Sequence, residues 1–441
     1  MALVISDLSK YVMAVIIVIY TLECFAVFRF RTEEERSGIY MRQIICMFLT
    51  HFIGFAAICL ETGEMNYIVF YGFQQILLFA TIALFRLIYP ESNKLIINNM
   101  CMLLSIGFVI LTRLNYSKAV RQFKIVAFSL VIGLVVPFLV KKIRFLKNLS
   151  WVYGIVGIAS LSLVAVLGPV THGSKITFTF GGYTFQPSEI VKIVFVFFVA
   201  SMLAASKDFL QIATASLAAA IHVIILVISK DLGSALIFFV AYVVMVFIAT
   251  HNYFYFFLGL IAGAGASVVA YHMFSHVRVR VQAWQDPLTY IDSSGYQIAQ
   301  SLFAIGTGGW FGMGLCQGDP TSIPYVEEDS VFSAIAEEQG VLFALCLILI
   351  CVSCFMMFMH ISMCLREEFY RLIAVGLSVM YIFQIFLTIG GGTRFIPLTG
   401  VTLPLISYGG SSVLTTIIMF SIIQGLYGVR SLEGAKNEKE T

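Results

Sequence analysis

The stretch VLFALCLILICVSCFMMFM, residues 341–359, carries no charged side chain, no glycine and no proline. At about 1.5 Å of rise per residue, a helix of this length nearly crosses the ~30 Å hydrocarbon layer of a bilayer. A helix satisfies its own backbone polar groups, which lipid demands of any spanning segment. Outward from this run the pattern repeats in both directions. Predominantly apolar runs cover 9–28, 43–61, 67–88, 95–112, 123–140, 150–170, 188–205, 209–229, 233–250, 253–273, 331–359, 368–389 and 408–427. The short alternating segments of a membrane β-barrel are absent from the sequence. With 441 residues, 60% of them hydrophobic, and a mean hydropathy of +0.95, the chain is more apolar than one soluble core could absorb. It reads as an all-α polytopic membrane protein of about thirteen helices.

One lysine precedes the first apolar run, with no basic region and no convincing cleavage site, so residues 11–28 read as a retained helix. The nine cysteines sit mostly inside apolar runs, Cys346, Cys351 and Cys354 among them, and read as small hydrophobes. A net charge of +3 gives no argument for nucleic acid. The lysine and arginine bias of short loops sets the orientation. Arg29, Arg31, Arg36 and Arg42, the group Lys141, Lys142, Arg144 and Lys147, and Arg430, Lys436 and Lys439 share one side, which is then cytoplasmic. The N-terminus falls outside, the tail inside, and the long polar stretch 274–330 faces the exterior. One cluster resists this scheme: Arg113, Lys118, Arg121 and Lys124 fall outside by alternation.

Polar residues within or beside membrane helices are costly and tend to have functions. In FQPSEIVK, residues 185–192, Glu189 and Lys192 are one helical turn apart and can pair, while Pro187 suits a first turn. In SKDLGSA, residues 229–235, Lys230 and Asp231 interrupt two apolar helices. PLTGVTLPLISYGGSS, residues 397–412, reads as a broken or re-entrant segment, tolerated only where protein or a cavity surrounds it. The fourth cluster is the long loop. RVQAWQDPLTYIDSSGYQ, residues 280–297, holds Asp286 and Asp292. The glycine-rich AIGTGGWFGMGLCQGDP, residues 304–320, lacks the lysine of a P-loop. Glu327, Glu328, Asp329, Glu337 and Glu338 come next, with Arg278, Arg280 and Arg394 as the nearest external cations. Taken singly, each cluster equally fits a solvated loop or a transporter's discontinuous helix.

In this order, FQPSEIVK, KDLGSA, GYQIAQSLFAIGTGG and LPLISYGGSS resemble the SEDS family (shape, elongation, division and sporulation), which includes RodA, FtsW and SpoVE. The likeness covers a ten-helix core at residues 91–428, including the loop 274–330 as the catalytic extracellular loop. Residues 1–90 then look like an N-terminal addition of about three helices, with no motif and few polar residues besides Glu23 and His51; the addition should be dispensable for chemistry. Residues 429–441 form a polar cytoplasmic tail, expected to be disordered. The resemblance implies a peptidoglycan glycosyltransferase of the bacterial plasma membrane that polymerises lipid II, with undecaprenyl pyrophosphate leaving. It further implies a divalent cation, Mg²⁺ or Mn²⁺, not readable from the residues, and a class B penicillin-binding protein as partner. Carried over residue by residue, it assigns substrate contact to Lys175, Gln186, Ser188, Glu189, Lys192, Asp231, Arg278, Arg280, Tyr296, Gln297, Arg394, Ser407, Gly409 and Ser411.

Two departures matter. The family's usual aspartate position, counted back from Gly295-Tyr296-Gln297, is Tyr290 here. Asp292 lies nearer that motif and is the expected general base, turned toward a central cavity. Asp286, followed by Pro287, is expected to start a turn in a supporting role. In THGSKITFTFGG, residues 171–182, Thr177 stands where the family usually has Trp, although Lys175 keeps a basic position. A lipid II flippase and a non-catalytic scaffold that activates a penicillin-binding protein stay open as alternatives.

Overall fold

The computed structural model describes residues 2–30, 32–142, 144–169, 176–181 and 183–440. Among them, thirteen helices are long and apolar enough to cross a membrane. Helices α1 (Ala2–Ala26), α2 (Glu33–Thr62) and α3 (Met65–Ile88) come first. Then follow α4 (Lys94–Leu114), α5 (Tyr116–Lys142), α6 (Ser150–Leu167), α7 (Pro187–Ala205), α8 (Phe209–Ile228), α9 (Leu232–Thr250) and α10 (Tyr253–Met273). The long loop contains two shorter helices, α11 (Ser275–Gln285) and α12 (Tyr296–Gly308). Helices α13 (Val331–Cys364), α14 (Glu368–Gly392) and α15 (Gly410–Glu440) complete the bundle. A hairpin of β1 (Phe178–Phe180) and β2 (Tyr183–Phe185), absent from the sequence reading, leads into α7.

Side-chain caps mark where several helices begin. Thr32 and Glu35 form a reciprocal capping box on α2, Asn93 accepts from Ile96 N on α4, and Asp231 accepts from Ser234 N on α9. Packing then sorts the helices by depth. Helix α4 is enclosed on every side, whereas α10 has no buried residue and presents Ile261, Val268 and Phe257 outward. Such a face needs lipid around it.

The N-terminal helices are built into the bundle. Tyr20 Oη and Cys24 Sγ both donate to Asn99 Oδ1, at 2.9 and 3.2 Å, and Asn99 Nδ2 donates to Ser353 Oγ at 2.8 Å. Asn98 Nδ2 donates to Gln43 Oε1 at 2.9 Å. Elements α1, α2, α4 and α13 thus share one buried polar network, and removing the first two would strand amides in the apolar core. Helix α15 is drawn as continuous to Glu440.

Alternation of the spans gathers the described residues of the linker between α6 and α7, and the linkers 229–231, 274–330 and 393–409, on one face. The cationic cluster that resisted the orientation rule acquires a physical reason here. Arg113 Nε lies 3.0 Å from Glu338 Oε1, and Lys118 Nζ bridges Glu327 at 2.5 Å and Glu328 at 3.5 Å. These cations neutralise carboxylates of the long loop and of the start of α13.

That loop is no solvated tether. Helix α13 breaks at Gly340, whose φ of +86° lies in the left-handed region. The glycine-rich segment fills the break: Met313 N and Gly314 N donate to the carbonyls of Glu337 and Glu338, while Val341 N and Leu342 N donate to Gly309 and Trp310. A Cβ on Gly312 would sit 2.3 Å from Glu338 O, and one on Gly340 would sit 2.4 Å from Gly312 N. The glycines are there for backbone contact, and the loop is stapled to the bundle by it.

Candidate active site

Below the loop-bearing face, the motif in residues 185–192 folds as an extended entry and a helix start. Lys192 Nζ lies 2.7 Å from Glu189 Oε2 and donates to Gln384 Oε1 at 2.7 Å, with Lys192 only 2% and Glu189 6% exposed. The pair is inside the bundle, because neither charge could face acyl chains. Gln384 in turn donates to Thr402 O at 2.9 Å, tying the pair to the broken segment 393–409. That segment lies buried between α14 and α15, with Leu403 and Ile406 in the core. Gln122 holds its far end, donating to Ser407 O and accepting from Gly409 N.

One turn higher, Asp231 joins three elements. Its Oδ2 accepts from Ser188 Oγ at 2.9 Å and Gln186 Nε2 at 3.0 Å, while Oδ1 caps α9. Gln186 N donates to Ser411 Oγ at 2.8 Å. Motifs more than two hundred residues apart in sequence therefore meet around one carboxylate.

Above this hub opens a cavity of about 680 Å³, within the ~300–1,000 Å³ usual for ligand sites. Gln186, Asp231, Arg280, Gln297 and Gly409, five of the residues the resemblance pointed to, line it. A narrower pocket of about 80 Å³ continues downward past Glu189 and Ser411. Lys230 and Arg280 supply cations to the larger cavity, and Glu328 and Asp329 supply carboxylates. Arg280 is held by Thr399 O at 3.0 Å. Burial, helped by Lys230 and Arg280, pulls the His276 imidazole down from its usual range. Burial and the neighbouring Glu328 push the Asp329 carboxyl up to about 7, against the lowering effects of Gln297 and Arg280.

Several expected residues lie elsewhere. Asp292 is exposed and does not line the cavity, contrary to the expected orientation. The reason is local: Ser293 N and Gly295 N both donate to Tyr290 O, closing a turn in which Ser294, not Asp292, reaches the cavity. Asp286 accepts from Thr289 N and from Thr289 Oγ1 at 2.6 Å, and these bonds draw its carboxyl below the usual range. It is a turn residue. Arg278 donates to His272 O, and Arg394 grips the end of α11 through the carbonyls of Trp284 and Gln285. Tyr296 and Ser407 are also off the wall, and Ser188 and Lys192 support it from behind. Lys175 lies outside the described residues. Sequence reasoning underrated Asp329 and did not assign Lys230, Thr399 or Tyr408 to the site, although all four line the cavity.

The polar motifs of a polytopic bundle thus converge on one cavity lined by both cations and carboxylates. Residues 93–430 match the FtsW/RodA/SpoVE family of cell cycle proteins. The peptidoglycan glycosyltransferase RodA of Mycobacterium leprae is 32% identical over 409 residues, covering 84% of this chain and 88% of its own. That of Mycobacterium tuberculosis is 36% identical over 310 residues, covering 66% of each. Stage V sporulation protein E of Bacillus subtilis is 30% identical over 303 residues, 65% of this chain and 81% of its own. Among solved structures, a chain from "Structural coordination of polymerization and crosslinking by a peptidoglycan synthase complex" superposes with a TM-score of 0.66 at 25% identity, covering 77% of this chain and 98% of its own. The Thermus thermophilus rod shape determining protein RodA shares the fold, with a TM-score of 0.59 at 23% identity, over 78% of this chain and 98% of its own. The chain belongs to the FtsW/RodA/SpoVE family and is a multi-pass bacterial membrane protein.

Proposed function

We propose that this protein is a peptidoglycan glycosyltransferase that polymerises lipid II on the outer face of the plasma membrane. The observation that carries the reading is the 680 Å³ cavity, where Lys230 and Arg280 face the same space as Asp329 and Glu328. The names of the relatives from Mycobacterium support the activity. A sugar hydroxyl is a weak nucleophile and needs a carboxylate to accept its proton. Diphosphate is a good leaving group and needs its growing charge neutralised, which cations placed beside it supply. Lys230 and Arg280 fit that role. When bound, Mg²⁺ or Mn²⁺ would add Lewis-acid neutralisation of the diphosphate. The described residues contain no group of three or more His, Cys, Asp or Glu side chains poised to hold a metal. Asp231, on the cavity wall, together with substrate oxygens would suffice, since Mg²⁺ is commonly held by one or two carboxylates plus phosphate.

A class B penicillin-binding protein that crosslinks the new strand is the proposed partner. The structural match to a synthase complex described by polymerization and crosslinking supports it. Purified protein incubated with lipid II and Mg²⁺ or Mn²⁺ should yield a ladder of glycan strands on a gel. Transbilayer movement of lipid II without any polymer would contradict the reading and select a flippase.

A further inference from the structure

We propose that Asp329, on the cavity wall, is the catalytic base that deprotonates the attacking sugar hydroxyl, in place of any aspartate in the 286–292 turn. The proposal rests on the glycosyltransferase reading and names the residue that would perform it. Three observations carry it. Asp329 lines the cavity, whereas Asp286 and Asp292 do not. Its Oδ1 is fixed by Gln297 Nε2 at 2.8 Å, with Ser330 Oγ at 3.5 Å, so the carboxylate has one defined orientation. Its Oδ2 is the end nearer Gly400, 3.9 Å from where a Cβ there would stand, and both residues line the cavity.

Chain order conceals this role, since Asp329 follows Glu327 and Glu328 in one acidic run. The fold separates them: Lys118 takes the two glutamates, and Gln297 of the Gly-Tyr-Gln motif takes the aspartate. In the reaction, the acceptor O–H bond breaks and its proton passes to Asp329 Oδ2. The acceptor oxygen bonds to the anomeric carbon of the donor. The bond from that carbon to the diphosphate oxygen breaks, and its electron pair leaves with the diphosphate toward Lys230 and Arg280. The charged and titratable groups around Asp329 are Glu328 and Tyr325 on its own loop, Arg280 from α11, Lys230 and Asp231 from the turn before α9, and Tyr408 from the broken segment. A carboxyl at about 7 is matched to proton transfer near neutral pH.

The test uses the full-length protein, lipid II and Mn²⁺, with glycan formation followed from pH 5.5 to 9. Asp329→Asn should lose ~10²–10⁴-fold in rate while keeping its thermal midpoint, the usual contribution of a positioned base. The wild-type rate should rise with pH through about 7, and Glu328→Gln, which removes the neighbouring negative charge, should move that limb to lower pH. A structural role for Asp329 would leave the limb in place. Should Asp329→Asn fail to fold, the Glu328→Gln shift alone decides. Normal polymerisation by Asp329→Asn, or an unmoved limb in Glu328→Gln, overturns the proposal. A wild-type protein that makes no glycan at all overturns the glycosyltransferase reading beneath it.

Discussion

Two parts of one loop treat their carboxylates in opposite ways. At the tip, Asp286 and Asp292 stand in solvent, and Asp286 bonds to residues no more than three positions away, Thr289 above all. On the wall, Asp329 and Asp231 are held by groups 32 and 43–45 residues distant in sequence, from other elements. Local bonds shape a turn; long-range bonds aim a side chain. The contrast says that proximity to a recognisable motif does not make a carboxylate functional, whereas attachment to several elements around a cavity does.

The comparison breaks most completely if the loop loses its staple. Gly340→Ala would put a Cβ 2.4 Å from a backbone nitrogen, at a φ of +86°. No side-chain rotation relieves that contact, so folded, monodisperse protein should be lost in size-exclusion chromatography. Next comes the buried pair beneath the wall. Glu189→Ala or Lys192→Ala leaves a lone charge in the bundle and should cost ~3–5 kcal/mol, while the double replacement should cost less. Chemical denaturation in detergent distinguishes the two cases. Arg394→Ala removes the grip on the end of α11 and should cost about 1 kcal/mol, since an exposed charged hydrogen bond has modest net value. Faster proteolysis within residues 274–330 reads this out. Smallest of all, Asp286→Asn should leave glycan formation within about two-fold, because asparagine makes the same turn.

The spans were legible because length and apolarity are strong local signals, and all thirteen appear as helices. The motifs were legible as polar interruptions, but their convergence was not. Nothing in residues 185–192 says that Gln384 will receive Lys192. The orientation of Asp292 was misread because two turn bonds to Tyr290 O decide it, and such closure leaves little trace in composition. One unused clue was present: four cations on the wrong side of the membrane implied carboxylates there to meet them, as Lys118 and Arg113 do. A second was Asn98-Asn99 inside an apolar helix, a pair of amides that demanded partners, which α1, α2 and α13 provide.

The central claim is that sugar transfer occurs at the cavity wall and not at the loop tip. Photo-crosslinking side chains at Ser294 and Leu398, which line the cavity, and at Asp292 and Leu288, which are exposed at the tip, test it directly with lipid II. Crosslinks to the lipid-linked sugar from Ser294 and Leu398, with none from Asp292 or Leu288, are the predicted result. Capture from the tip positions alone would contradict the account.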